Sequence, residues 1–466
     1  MNAKNKTFKD FINYFLGDLF VKGFMFISLP LLSRIMTPED YGRMSLINSA
    51  IMILYVFISL NLQNAVINAF MKNDVDFPVY LGTVLLGLTG AQFILVVISI
   101  YFATPISELL SISTDDFYWV VAICVLLSYI YIYTSYLQGA RLSGNFVKLN
   151  IISKVSEVIV IFSFAWFMAQ DKYLSKIYAQ LIISSILLLY ILVKLRKITI
   201  FKFDLKYFIS ALAFSSPLII HVLSNALLSQ VDRVFIAKML GDEQAGIYSF
   251  AYNIGMCILV VVMAWNSSWQ PKLYKLLDQH DNKKIVSIIG KSSALLAVIS
   301  FLTILFSKQM VEILADERYR DSISVVPIIL IGNSLIHIYL SYVNFTFYMK
   351  KTVLVSVGTL FAVAINIVLN YYLIPIYGIH GAAWATVIAY FMLAFFHYII
   401  ATLVLKINPV SINQLLWYST LLLASYFLVR YLDSLSFGLG LCLKLLIFII
   451  VFFIVLKSKV YNEIKD

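Results

Sequence analysis

Charged residues are scarce in this sequence. Only 13% of its 466 residues are Asp, Glu, Lys or Arg, whereas a soluble domain carries about 25%. Hydrophobic residues make up 61% of the chain, and the mean hydropathy is +0.90. These values exclude a soluble enzyme, a disordered scaffold and a nucleic-acid-binding domain, and they indicate an integral membrane protein.

Cysteine is also rare, and its three positions all lie inside apolar runs. Cys124, Cys257 and Cys442 have neither zinc-ligand nor redox spacing, so we interpret them as small apolar side chains and expect no metal site. The sequence contains no ATPase signature, no HExxH motif, no nucleophile elbow and no long loop. We therefore expect a protein that is not an enzyme, that needs no cofactor and that is not driven by ATP.

Apolar runs of about 20 residues, long enough to cross a bilayer as helices, recur along the whole chain. They predict an all-α polytopic membrane protein with fourteen transmembrane helices, near residues 11–33, 45–69, 79–103, 117–139, 149–169, 174–193, 207–230, 246–270, 286–307, 323–346, 353–374, 381–405, 412–429 and 436–456. Lys and Arg are about twice as frequent in the loops on the side of the N-terminus, which predicts that both termini are cytoplasmic. The net charge of +11 is thus attributed to topology rather than to nucleic acid.

An internal repeat is visible in the loops. Residues 34–42 resemble residues 238–246 at an offset of 204, although chance similarity between apolar helices is the alternative. The repeat predicts two pseudo-symmetric six-helix bundles, 1–200 and 201–406, related by an axis along the membrane normal and binding substrate between them. Residues 407–466 would add two further transmembrane helices and a cytoplasmic tail.

Polar residues inside the spans are the candidates for a binding site. A charged side chain at a helix centre costs roughly 2.5–3.5 kcal/mol, so it usually faces a bundle interior or a water-filled cavity. Asp18 and Lys22 share a face of the first span, as an internal salt bridge or as a cavity-lining pair. The second span carries amides on one face that either bind sugar hydroxyls or hold helices together, namely Asn61, Asn64 and Asn68.

Two later spans carry further candidates. Lys154 and Glu157 in the fifth span either extend to the membrane interface or line a cavity. The seventh span has a polar stripe at helical spacing that we predict to face a cavity, formed by His221, Asn225, Ser229 and Asp232 and followed by Arg233. Two shorter pairs are interpreted as interhelical hydrogen bonds, Asn333 with His337 and Asn366 with Asn370.

The basic members of this set offer partners for an anion. Lys22, Lys154 and Arg233 would hold a phosphate or an acidic sugar, and Asn61, Asn64 and Asn225 would bind sugar hydroxyls. A cavity that combines amides with basic groups suits an anionic, hydroxyl-rich substrate and suits a hydrophobic cation poorly.

The sequence resembles a known family in several segments. Residues 30–42 resemble the first outer loop of bacterial polysaccharide flippases of the Wzx type, in the multidrug/oligosaccharidyl-lipid/polysaccharide exporter superfamily. Residues 138–148 are similar to the loop after the fourth span of these proteins, and residues 366–386 to their eleventh and twelfth spans. The resemblance covers essentially the whole chain, and the fourteen spans resemble the lipid II flippase of the same superfamily.

This resemblance implies a transport function. The substrate would be an undecaprenyl-pyrophosphate-linked oligosaccharide repeat unit, moved from the cytoplasmic to the outer leaflet of a bacterial inner membrane by alternating access. The product would feed O-antigen or capsule assembly, with a polysaccharide polymerase and chain-length machinery as further partners. One alternative is an ion-coupled multidrug or metabolite antiporter of the same fold, with Asp18 or Asp232 as an unpaired acid. Another is a glycan polymerase or transferase, which would need a long outer loop.

Overall fold

A computed structural model of the chain describes residues 3–407 and 410–457, and the predicted C-terminal tail lies beyond them. In this part of the chain there is no strand, and fourteen helices are long and apolar enough to cross a membrane. The predicted fold class is therefore confirmed. The helices are α1 Ala3–Ile35, α2 Pro38–Ile58, α3 Gln63–Lys72, α4 Phe77–Tyr101, α5 Ala103–Leu110, α6 Thr114–Gly139, α7 Ser143–Phe167, α8 Leu174–Leu195, α9 Leu205–Leu240, α10 Asp242–Asp278, α11 Asn282–Leu305, α12 Ser307–Leu314, α13 Val326–Tyr348, α14 Thr352–Tyr377, α15 Ile379–Ile399, α16 Ile412–Ser434 and α17 Phe437–Lys457. Glu317–Ser324 forms a 3₁₀ helix, and Ile400–Val404 a π-helical turn.

Local sequence signals determine where several helices begin. Thr37 caps α2 by accepting a hydrogen bond from the backbone N–H of Asp40, and Pro38 occupies the first turn, where its missing N–H costs nothing. Asp204 caps α9 in the same way, accepting from the backbone N–H groups of Lys206 and Tyr207. These caps satisfy donors that would otherwise be left unpaired at the helix ends.

The second span differs from the prediction. The sequence predicts a single helix over 45–69, but α2 ends at Ile58 and the chain resumes as α3 at Gln63. Leu60 and Asn61 between them have φ angles of 50° and 54°, in the left-handed region, which interrupts the i to i−4 hydrogen bonds of a helix. The prediction that Asn61, Asn64 and Asn68 share one face of one helix is therefore wrong.

Residues Met1–Gly246 form one compact unit, called unit 1. In it α2 packs on α6 and α9, α6 on α8, α7 on α8, and α1 on α7. The interior along α6 is formed by fully buried apolar side chains, among them Phe117, Val120 and Ile123. Each such side chain that leaves water on burial stabilises the unit by roughly 1.5–3 kcal/mol. Within the bilayer the stabilisation comes from close packing of the side chains.

Residues Ile247–Asp466 form the second compact unit, called unit 2. Its central helix is α13, which packs on α11, α15 and α16 and is 94% buried over its most apolar stretch. By contrast, α17 is only 11% buried over that stretch and packs on α16, so most of its apolar surface is left for lipid. The division into bundles at residue 200 stays a prediction.

Candidate functional site

Helices α1 and α7 pack in parallel and in register. Asn13 Nδ2 donates to Ser143 Oγ over 3.0 Å, and a methyl group built on Gly17 would lie 2.5 Å from Val147 Cγ1. Both contacts join residues 130 apart in the sequence. With a rise of about 1.5 Å per residue, this register places Lys22 of α1 within about 3 Å of the height of Lys154 on α7.

The predicted pair on α1 is an ion pair in the structure. Lys22 Nζ lies 2.7 Å from Asp18 Oδ2, and both side chains are at least one-third exposed. They lie within the membrane-spanning part of α1, so their exposed atoms face either lipid or a water-filled cavity. The salt bridge is thus observed, and the cavity-lining role stays a prediction.

Glu157 on α7 is held between two lysines. Lys154 Nζ lies 3.0 Å from Glu157 Oε2, and Lys176 Nζ of α8 is hydrogen-bonded to Glu157 Oε1. The side chains of Glu157 and Lys176 are 8% and 11% exposed, whereas that of Lys154 is 39% exposed. We call these three residues the lysine–glutamate cluster.

The lysine–glutamate cluster has one more positive than negative charge. A buried ion in a medium of low dielectric constant is costly unless it is paired, so a single positive charge in excess favours the approach of an anion. Lys154 is the member through which an anion could be bound, because its side chain is the most exposed. Sequence reasoning missed Lys176, although it lies inside the predicted sixth span.

The polar stripe on α9 is divided between two environments. Asn225 is exposed, and its Nδ2 lies 3.2 Å from Nε2 of the half-buried His221. Asp232 and Arg233 are buried. The His221–Asn225 part of the stripe is therefore accessible in this structure, and the Asp232–Arg233 end is enclosed.

The guanidinium of Arg233 is engaged within unit 1. Its Nη1 donates to the backbone oxygen of Ser229 over 2.6 Å and to Gln230 Oε1 over 3.2 Å. Ser49 of α2 donates to the same Gln230 oxygen over 2.9 Å. Arg233 thus belongs to a network that joins α9 to α2, and sequence reasoning missed Gln230 as its partner.

Asn61 is buried in the break between α2 and α3. Its Oδ1 accepts hydrogen bonds of 2.8 Å from Gln63 Nε2 and from Asn64 Nδ2. The amide nitrogen of Asn61 is buried and has no hydrogen-bond partner among the described residues. A buried donor without a partner is costly, and it suits a ligand oxygen.

The polar pairs of unit 2 link helices, as predicted. Asn333 Nδ2 donates to the backbone oxygen of Gly255 on α10 over 2.9 Å. Nε2 of His337 lies 2.7 Å from Ser293 Oγ on α11. Asn366 Nδ2 donates to a side chain on α15, the Thr386 hydroxyl, and accepts from Asn370. The interpretation as interhelical hydrogen bonds is confirmed for Asn333, His337 and Asn366, whereas the bond from Asn370 to Asn366 lies within α14.

A second charged cluster, missed by sequence reasoning, surrounds Arg43 near the start of α2. The guanidinium nitrogens lie 2.8 Å from a carboxylate oxygen of Glu39, 3.1 Å from one of Asp242 and 3.5 Å from one of Asp171. The guanidinium carbon also lies 5.4 Å from the centre of the Tyr173 ring. Burial raises the pKa of Tyr173 to about 12, so its hydroxyl stays protonated at neutral pH. The cluster ties α2 to the first residue of α10 and to the α7–α8 loop.

Two glycines lie in close contact beside Arg43. A methyl group on Gly42 would lie 1.9 Å from the backbone oxygen of Asp242, and one on Gly246 would lie 1.8 Å from that of Pro38. Gly42 and Gly246 are separated by 204 residues, the offset of the repeat seen in the sequence. Pro38 and Asp242 are separated by the same number of residues. No larger residue fits at either position without a shift of the backbone.

An apolar cavity of about 430 Å³ lies between α4 and α6, away from these clusters. It is lined by Val96, Ile100, Tyr118, Val121, Ala122, Val125 and Leu126. Apart from the hydroxyl of Tyr118 this lining is apolar, and it suits an acyl chain better than a sugar or a phosphate. In the part of the chain that the structure describes, no group of three or more His, Cys, Asp or Glu side chains could hold a metal ion.

The sequence matches one protein family and is similar to a curated protein. The sequence profile described as "polysaccharide biosynthesis protein" matches residues 7–277. Protein 1 of the Lsg locus of Haemophilus influenzae is 24% identical over 406 residues, covering 83% of this chain and 98% of that protein. These matches confirm the resemblance to polysaccharide exporters that the sequence motifs indicated.

Solved structures with the same fold are transporters. The lipid II flippase MurJ in an inward closed conformation superposes with a TM-score of 0.71 at 14% identity, covering 96% of this chain and 98% of that one. An inward-facing multidrug resistance transporter of the MATE family, in the MOP superfamily, gives a TM-score of 0.58 at 13% identity, covering 85% and 94%. At these identities the likeness concerns the fold of a multi-pass membrane protein.

Proposed function

This chain belongs to the polysaccharide biosynthesis protein family, and we propose that it is a flippase for a lipid-linked oligosaccharide. The substrate is an undecaprenyl-pyrophosphate-linked repeat unit, which moves from the cytoplasmic to the outer leaflet of a bacterial inner membrane by alternating access. The chain has both termini in the cytoplasm and performs no catalysis. Its product supplies cell-surface polysaccharide assembly, such as that of O-antigen or capsule, through a polymerase and chain-length machinery.

The observation that carries this proposal is the excess positive charge of the lysine–glutamate cluster inside the membrane-spanning part of unit 1. Because α1 and α7 pack in register, the backbone position of Lys22 lies within about 3 Å of the height of Lys154. Two lysines on neighbouring turns of packed helices suit a pyrophosphate, which presents several anionic oxygens over a few ångströms. We propose that Lys22 and Lys154 bind it, while Glu157 and Lys176 hold Lys154 in place.

Amides supply the partners for the sugar. Asn225 is exposed on α9, and the buried Asn61 amide nitrogen lacks a partner among the described residues. Both can donate to hydroxyl oxygens, with Asn64 and His221 as their hydrogen-bonded neighbours. Arg233 is a weaker candidate for phosphate binding, because it would have to give up its bonds to Ser229 and Gln230.

The two alternatives have less support. A cation antiporter would use an unpaired acid, but Asp18 is paired with Lys22, and Asp232 is buried with a partner of its own. A glycan polymerase or transferase would need a long extramembrane loop. The longest segment between two membrane-spanning helices within the described residues is 306–325, which contains α12 and the 3₁₀ helix and is too short for a catalytic domain.

The test is mass spectrometry of prenyl-linked glycans in cells that lack this chain but retain the first sugar transferase. We expect complete repeat units to accumulate on the cytoplasmic side, and wild-type protein to clear them. Lys22→Gln and Lys154→Gln should restore clearance poorly at normal protein levels, whereas Lys283→Gln, at an exposed position at the start of α11, should restore it fully.

Unchanged levels of lipid-linked glycans in cells without any second flippase would refute the proposal. Dye efflux coupled to Na⁺ or H⁺ would then indicate the antiporter, with Asp18→Asn and Asp232→Asn as the informative variants. Full clearance by both lysine variants would leave the flippase in place and refute the assigned phosphate ligands.

A further inference from the structure

The segment that joins α8 to α9 is docked against the start of α4. Ile200 donates its backbone N–H to the oxygen of Pro78 over 3.0 Å, and the hydroxyl of Thr83 donates to the oxygen of Lys202 over 2.9 Å. A methyl group on Gly82 would lie 2.0 Å from the oxygen of Ile200, so the two backbones are in direct contact. We call residues 196–206 the strap.

The strap keeps apolar side chains exposed although its backbone is docked. Four large ones are about half exposed, Ile200 at 54%, Phe201 at 56%, Phe203 at 49% and Leu205 at 61%. A contiguous apolar group of this kind is unfavourable in water and marks a surface that contacts a membrane or a partner. Phe203 packs on Phe208 of α9, and about half of each of the four side chains is left uncovered by the described residues.

Basic residues alternate with the apolar ones. Arg196, Lys197, Lys202 and Lys206 are all exposed, and Asp204 is the single acid of the strap. Asp204 Oδ1 already accepts from the backbone N–H groups of Lys206 and Tyr207 at the start of α9. The positive charge of the strap is therefore largely uncompensated.

The position of the strap points to lipid. It connects the end of one membrane-spanning helix to the start of another, and it rests on the start of a third. These three helix ends mark one face of the membrane, so the strap lies in the plane where lipid headgroups meet acyl chains. Basic residues interleaved with aromatic and aliphatic ones are the composition of segments that bind anionic interfaces.

We propose that the strap is a binding surface for anionic phospholipids, with its lysines on the headgroup phosphates and its apolar side chains among the upper acyl carbons. The docked backbone favours this, because the side chains are presented without the cost of ordering a loop on binding. This inference is independent of the transported substrate. It concerns the bulk lipid of one leaflet.

The test uses the full-length protein in a neutral detergent, titrated with phosphatidylglycerol or phosphatidylcholine and analysed by native mass spectrometry. Wild type should retain phosphatidylglycerol with higher affinity than phosphatidylcholine. Lys197→Gln with Lys202→Gln should weaken this binding by at least tenfold, since each basic residue near an anionic surface contributes about fivefold. The matched pair Lys283→Gln with Lys284→Gln, exposed at the start of α11, should change it by less than about threefold, because Asp278 and Asp281 beside these lysines offset their charge.

Further variants separate the two components of the surface. Phe201→Ser with Phe203→Ser should weaken the retention of both lipids and preserve the preference for phosphatidylglycerol. Equal retention of the two lipids by wild type, or equal losses in the two lysine double variants, would overturn the proposal. Displacement of phosphatidylglycerol by millimolar inorganic pyrophosphate would show a soluble-phosphate site instead, and a dimer that disappears in the phenylalanine variant would show self-association.

Discussion

Replacing Glu157 with Gln tests how the lysine–glutamate cluster is stabilised. The substitution keeps the size of the side chain but leaves Lys154 and Lys176 without their carboxylate. Removing one partner of a buried ion pair costs about 3–5 kcal/mol, because the remaining charge is buried and uncompensated. Since 1 kcal/mol lowers the melting temperature by roughly 2–4 °C in a chain segment of about 150–250 residues, we expect a decrease of at least roughly 6–12 °C.

The measurement is heat-induced unfolding in lipid nanodiscs, followed by tryptophan fluorescence. Glu317→Gln is the control, because its ion pair with Arg320 is largely exposed on both sides and should contribute at most about 1 kcal/mol. A second variant, Glu157→Gln with Lys176→Met, removes the buried cation as well and should recover at least half of the loss. A melting temperature of Glu157→Gln within about 3 °C of that of wild type would refute the assignment of a buried, mutually dependent pair. A melting temperature of the double variant below that of Glu157→Gln would refute it as well.

Three further predictions concern packing elsewhere. Gly42→Ala should destabilise the protein by about 1–3 kcal/mol or more, because its methyl group would overlap the backbone of Asp242, whereas Gly90→Ala, at a site with open space, should not lower the melting temperature. Lys444→Met should speed hydrogen exchange in α17 with little change in α1–α9, since this buried lysine bonds to side chains on α16 and α12; unchanged exchange in α17 would contradict it. Asn366→Ala should cost about 1–3 kcal/mol by removing its buried hydrogen bonds to Thr386 on α15 and Asn370 on α14, and a melting temperature equal to that of wild type would refute that role.

The fourteen membrane-spanning helices could be predicted from the sequence because bilayer thickness sets the length of an apolar run. The same signal could not reveal the break in the second span. Residues 45–69 are mostly apolar although polar residues gather at 59–68, and hydropathy carries no information on the left-handed φ angles of Leu60 and Asn61. The error was therefore one of backbone conformation within a correctly located apolar segment.

Local spacing also explains which parts of the site were predictable. Asp18 and Lys22 are four residues apart, so helix geometry alone brings their charges together. Lys176 lies 19 residues from Glu157 on another helix, and Gln230 meets Ser49 across a separation of 181 residues. Such partners depend on how helices are arranged side by side, which a single helical period does not encode.

Composition and the length of its apolar runs by themselves determined that this chain is a helical membrane protein with fourteen spans, because a segment in lipid must satisfy its own backbone hydrogen bonds. The offset of 204 residues in the sequence also relates Gly42 to Gly246 as equivalent positions of a repeat. Only the tertiary structure decided that these glycines touch, that Glu157 is shared between two lysines, and that the strap is docked on α4 with its apolar side chains exposed. The physical reason is that each of these contacts is made between helices, and its geometry follows from packing across the bundle rather than from the neighbours of a residue along the chain.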